Sequence, residues 1–241
     1  MIVKNTIARY LIVLVACCLQ TLYAQIGPKA HSHTTKNESG EHTHLFLTDE
    51  NYLVYTVYST SPNSFLKTLG GFYTMQNDTL HVALEFNSEY KNDTLKVLKI
   101  PYEKKGNTLF LDFGEGSVPM VSPSDHPQEL DGKWLMAGRV SEEGENRRDT
   151  TAPRKTMKFL VNGHFQWIAF NTDTMEFFGT GGGKFTSKDG SYVELIHYFP
   201  RDNSRVGQEL KFDYELKGDD WYHNGKSSQG KPLHEIWARR E

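Results

Sequence analysis

Two stretches of this chain carry the same turn punctuation 112 positions apart, and that spacing constrains the fold more than any other feature. Gly70-Gly71-Phe72-Tyr73-Thr74 answers to Gly182-Gly183-Lys184-Phe185-Thr186. At the same offset Asn77-Asp78-Thr79-Leu80 falls on Asp189-Gly190-Ser191-Tyr192, and Gly106-Asn107-Thr108-Leu109-Phe110 on Gly218-Asp219-Asp220-Trp221-Tyr222. Upstream, Leu47-x4-Tyr52 aligns with Leu160-x4-Phe165 after a one-residue slip. Identity is low, but turns and apolar positions recur in order, as in a duplicated supersecondary unit.

The unit itself reads as a β-meander. Tyr52–Tyr58, Leu80–Phe86 and Leu95–Ile100 are rich in β-branched, aromatic and alternating apolar residues, and Asn77-Asp78, Asn92-Asp93 and Gly106-Asn107 bound them. No stretch has the apolar period and caps of an amphipathic helix. The Gly- and Pro-rich stretch Phe113 to Glu129 divides two units, 44–125 and 126–241. The second is long enough for a small closed barrel. The first is shorter and is expected to be open or incomplete, because nothing in it matches the strand around Trp134 unless the region after Gln25 supplies a poor copy. Asp-Thr-apolar triplets at 78–80, 93–95 and 173–175 are either turn entries to strands or acceptors of O-linked sugar.

Residues 1–24 read as a secretory signal. Lys4 and Arg9 precede an apolar run from Tyr10 to Leu19, about half the length a membrane span needs, and Ala24 offers a cleavage site. The alternative is a lipoprotein cut with a lipid anchor at Cys17. Cleavage after Ala24 removes Lys4, Arg9 and both cysteines, taking the net charge from -3 to -5. Such a mature chain has no thiol chemistry, no disulfide and no Cys-ligated zinc. The acidic balance also argues against a nucleic-acid binder, and no other run is long enough to cross a membrane. The expected location is therefore secreted or periplasmic.

Residues 25–43 are polar and read as a linker, yet His31, His33, His42 and His44 cluster there and just after it. On extended backbone each His-x-His pair points two imidazoles one way, so zinc or copper is a candidate ligand.

Gly132-Lys133-Trp134 opens the second unit, and Arg239-Arg240 closes it. A Gly-x-Trp on the first strand with an arginine on the last resembles the calycin superfamily, which contains the lipocalins. The resemblance implies that Arg239 or Arg240 lies across Trp134 and shuts one end of the barrel. Residues 130–241 also resemble a family of secreted bacterial lipocalin-like domains of unknown function. The shared residues are Gly163-His164-Phe165-Gln166-Trp167, Gly179-Thr180-Gly181-Gly182-Gly183-Lys184-Phe185 and Tyr192-Val193-Glu194-Leu195-Ile196. The expected architecture is all-β: two lipocalin-like antiparallel β-barrel or half-barrel units after a signal peptide.

Alternation and the repeat select the candidate site. Tyr192, Glu194, Ile196 and Tyr198 share a face whose counterparts, Leu80, Val82, Leu84 and Phe86, are all apolar. That face should be the barrel interior, where a carboxylate must be paired, hydrated or turned to a ligand. Trp167, Tyr192, Glu194, Ile196 and Tyr198 are the predicted lining of a pocket for a small, largely apolar molecule. Other readings are a structural or interaction module of the envelope with a filled barrel, a metal-binding protein using the His cluster, and an enzyme with Glu194 as acid or base. No nucleophile elbow or His-Glu-x-x-His is present, so an enzyme is the less favoured class. The Arg147-Arg148 and Arg154-Lys155 pairs read as a solvated loop.

Overall fold

The computed structural model describes residues 26–38, 40–114 and 116–241. The expected signal peptide, its cut at Ala24 and the Cys17 anchor lie outside the described residues. Among these residues no helix is long and apolar enough to cross a membrane.

The first unit is a closed antiparallel barrel. Its strands are β1 (Lys29–Asn37), β2 (Gly40–Thr48), β3 (Tyr52–Ser61), β4 (Asn63–Gln76), β5 (Thr79–Asn87), β6 (Val97–Lys105), β7 (Thr108–Asp112) and β8 (Ser117–Val121). One helical turn, α1 (Tyr90–Asp93), joins β5 to β6. The seam is β1 against β8, with Ser32 opposite Val121.

The second barrel comprises β9 (Gly132–Ser141) and β11 to β17, with β10 (Gly144–Arg147) a short hairpin strand on the far end of β9. The strands after β10 are β11 (Arg154–Val161), β12 (His164–Asn171), β13 (Phe177–Lys188), β14 (Ser191–Tyr198), β15 (Glu209–Lys217), β16 (Asp220–Lys226) and β17 (Pro232–Arg240). β17 closes the barrel on β9, with Arg239 opposite Trp134.

The repeat holds in three dimensions. Gly70 faces Phe86 and Gly71 faces Leu84 across a β-bulge; Gly182 faces Tyr198 and Gly183 faces Ile196 across another. A Cβ on Gly71 would overlap the carbonyl oxygen of Ala83, and one on Gly183 that of Leu195, again 112 positions on. The upstream slip is not needed: Leu47 pairs Val54 as Phe159 pairs Gln166. The backbones of these bulges have no room for a side chain, so Gly71→Ala and Gly183→Ala should each cost about 1–3 kcal/mol by overpacking. Denaturant midpoints of the two variants check this, and wild-type values would contradict it.

Two expectations about the N-terminal unit are corrected. The described part of the segment 25–43 is not a linker: β1 and the start of β2 run through it and complete the barrel. The reason is register. His31 pairs Phe46, as Trp134 pairs Lys158, so β1 is the missing counterpart of the Trp134 strand, with His31 in the place of Trp134. Because its inward residues are imidazoles and hydroxyls, it lacks the apolar alternation by which strands are recognised.

The barrels pack face to face. The outer residues Leu47, Tyr52, Val54 and Tyr58 of the first barrel meet Phe159, Ile168, Phe170 and Tyr198 of the second in one buried cluster. Each such side chain contributes about 1.5–3 kcal/mol relative to exposure. Polar locks fix the register within it. Gln166 accepts from Thr56 at 2.8 Å and donates to Thr68 and Thr180 at 3.0 Å. Lys133 reaches Asp49 at 2.5 Å, and Arg240 clasps both oxygens of Glu85 at 2.7 and 2.8 Å.

Candidate functional site

The second barrel has a closed end and an open end. At the closed end Trp134 packs edge-on against Trp221 (5.6 Å), which in turn meets Tyr192 (5.1 Å). The Arg239 guanidinium lies 4.7 Å from the Trp134 ring and donates to the Asp131 carbonyl at 2.8 Å. Gly132 makes the space, since a Cβ there would sit 2.6 Å from Arg239 Nη1. Of the two arginines, only Arg239 covers the tryptophan; Arg240 turns outward to the first barrel.

Above this plug lies a cavity of about 720 Å³. Met136, Trp167, Ile196, Leu210, Leu233 and Trp237 provide its apolar wall. On its floor the Lys158 ammonium donates to Glu194 Oε1 at 2.8 Å, and Tyr192 donates to the same oxygen at 2.7 Å. Lys158 Nζ also lies 5.0 Å from the Tyr192 and Trp221 rings and 5.2 Å from Trp237, so aromatic faces replace part of its lost hydration. Burial and the Glu194 charge hold the Tyr192 phenol well above its ordinary range, so it remains a donor. Beside this pair His223 Nδ1 sits 3.5 Å from Glu235 Oε2. Burial, then the Lys158 charge, pushes His223 down to about 4, so it is neutral at pH 7.

The structure brings three of the five predicted lining residues, Trp167, Glu194 and Ile196, to the cavity surface. Tyr192 lies beneath it and reaches it through Glu194. Tyr198 does not face it. The bulge opposite Gly182 and Gly183 reverses strand parity after Ile196, so Tyr198 turns toward the first barrel and packs at a tilt on Tyr58, ring centres 4.7 Å apart, while Phe199 takes the inward direction. Phe86, its counterpart, turns the same way, onto Phe170 at 5.2 Å.

Sequence reading missed Lys158 and Glu235 on the floor, and Arg148 and Arg154 at the mouth. The stretch read as a solvated loop in fact holds β10 and the start of β11. The one available signal was alternation: Thr156, Lys158 and Leu160 share a face with the inward Phe165 and Trp167 opposite them.

The four histidines lie in the first barrel, on β1 and β2. His33 and His44 are cross-strand neighbours with ring centres 6.1 Å apart, and His44 Nδ1 pairs with the Tyr55 hydroxyl at 2.7 Å. Among the described residues no group of three or more His, Cys, Asp or Glu side chains has the geometry of a metal site.

No curated protein matches the chain. Among solved structures, the chain is similar to the Helicobacter pylori beta clamp bound to a DNA ligase peptide at 12% identity and a TM-score of 0.17. That match covers 90% of this chain and 59% of the clamp. Residues 129–241, which contain the whole second barrel, match the model of a domain of unknown function, DUF4488; this part of the chain is thus similar to an uncharacterised family.

Proposed function

We propose that the protein is a secreted or envelope-associated binder of a small, largely apolar ligand, held in the second barrel as lipocalins hold theirs. The observation that carries this is the cavity of about 720 Å³ with an apolar wall and few polar groups, a size and composition suited to a small molecule. Arg239 over Trp134 beside Gly132 supports kinship with the calycins. The basic start, short apolar run and Ala24 of residues 1–24 support export. Glu194 fits a binder better than an enzyme, because its Oε1 is already taken by Lys158 and Tyr192.

The test is titration with N-phenyl-1-naphthylamine, a neutral apolar fluorophore. Saturable one-to-one binding is expected in the wild type. It should fall at least about tenfold in Ala169→Trp, where an indole enters the cavity and clashes with the bound probe. Absence of saturable binding, or unchanged binding in the folded variant, contradicts the proposal.

A further inference from the structure

The mouth of the cavity carries charge that a purely apolar ligand does not need. Arg139 on β9, Arg148 after β10, Arg154 at the start of β11 and Arg201 after β14 border it. With Lys158 they place five cations on the cavity against two carboxylates, Glu194 and Glu235, in a chain of net charge -3. Among the described residues only Arg139 of the four is ion-paired, to Glu235 at 3.8 Å. Desolvation and then the charges of Arg148 and Arg201 hold Arg154 below its ordinary range, against a weaker opposing effect of Glu176.

Two of the four are fixed around one residue. Arg154 stacks on the Phe178 ring at 3.7 Å and donates to the Lys155 carbonyl at 2.8 Å. Arg201 donates to the Phe178 carbonyl at 2.9 Å and lies 5.9 Å from the Trp167 ring on the cavity wall. Guanidiniums held in this way need less ordering to grip a planar or tetrahedral anion. The floor offers no such place, because Glu194 already matches Lys158.

We infer that the ligand is a single-chain amphiphilic anion, with its chain in the cavity and its acid group at the mouth between Arg154 and Arg201. The inference rests on the binding function proposed above and gives that ligand its class.

The experiment is displacement of bound N-phenyl-1-naphthylamine by dodecanoate and by dodecanol, in wild type and in Arg154→Gln/Arg201→Gln. In wild type at low salt dodecanoate should displace at about tenfold lower concentration than dodecanol. Raising the salt to about 0.5 M should shrink that advantage, since both guanidiniums are solvent-exposed. In the double variant it should fall to about twofold or less, with each amphiphile's displacement read against that variant's own measured affinity for the probe. Equal displacement by the two compounds in wild type, with the probe bound, overturns the inference and leaves the binding function standing. So does an advantage for dodecanoate that survives in the variant. Failure of the probe and both amphiphiles to bind overturns both. Arginine-dependent sedimentation with phosphatidylglycerol vesicles, without displacement by dodecanoate, also overturns it, because the mouth would then be reading a membrane surface.

Discussion

Lys158→Met should destabilise the protein by about 3 kcal/mol, at the low end for breaking a buried ion pair because the cavity beside it admits water. Lys158 and Glu194 are each buried, at 5% and 6% exposure, and the variant leaves the carboxylate with Tyr192 as its one remaining hydrogen-bond donor of the pair. The first barrel indicates what compensates. By register Phe46, opposite Tyr55, stands where Lys158 stands opposite Trp167, and Val82 stands where Glu194 does. The same architecture therefore accommodates an apolar pair. Lys158→Met/Glu194→Val should recover most of the loss and come within about 1 kcal/mol of wild type. For a chain of this size the single variant's Tm should drop by about 6–12 °C. A drop under about 2 °C, or a double variant no better than the single, contradicts this account of the floor.

Acid should destabilise the fold by a comparable or larger amount. His31 and His223 titrate at about 4 and His164 at about 3, each held down first by burial. In the unfolded chain each titrates near 6.5, so between pH 6.5 and 4 the unfolded state binds more protons and stability falls as pH falls. Each histidine loses about 1.4 kcal/mol per pH unit in that window. Asp131 works the other way. Burial raises it to about 6, so it takes up its proton in the folded state first and recovers about 2 kcal/mol. From pH 7 to 4.5 the net loss is on the order of 5 kcal/mol. Thermal melts across this range, repeated on His223→Phe, check it: the variant should lose stability less steeply. A Tm that is flat from pH 7 to 4.5 is incompatible with three neutral buried imidazoles.

The duplication was legible because it is written in turns, and turn chemistry is local. The Gly-Gly bulges and the Asn-Asp and Asp-Gly turns demand particular residues whatever packs around them. The same repeat placed Glu194 inside, since its counterpart is Val82. What failed were inferences that needed parity to persist through a bulge: Tyr198 and Phe86 both leave the interior at the very glycine pairs that revealed the repeat. β1 was hidden for another reason. Its inward side chains are His31 and His33, so the sequence shows polarity where the barrel shows an inner face. The cation at the floor and the arginines at the mouth come from β9, β11 and the segments after β10 and β14, and no local pattern says that these positions converge.

Binding of a ligand in the second barrel, as proposed, is open to one direct measurement. All four tryptophans, Trp134, Trp167, Trp221 and Trp237, lie in the second barrel, and Trp167 and Trp237 line its cavity. Titration with a dodecanoate brominated in its chain should quench their emission by contact, saturating at one equivalent, and Ala169→Trp should abolish the saturable part. Emission that stays unquenched, or quenching that is linear in concentration and the same in the filled variant, would contradict it.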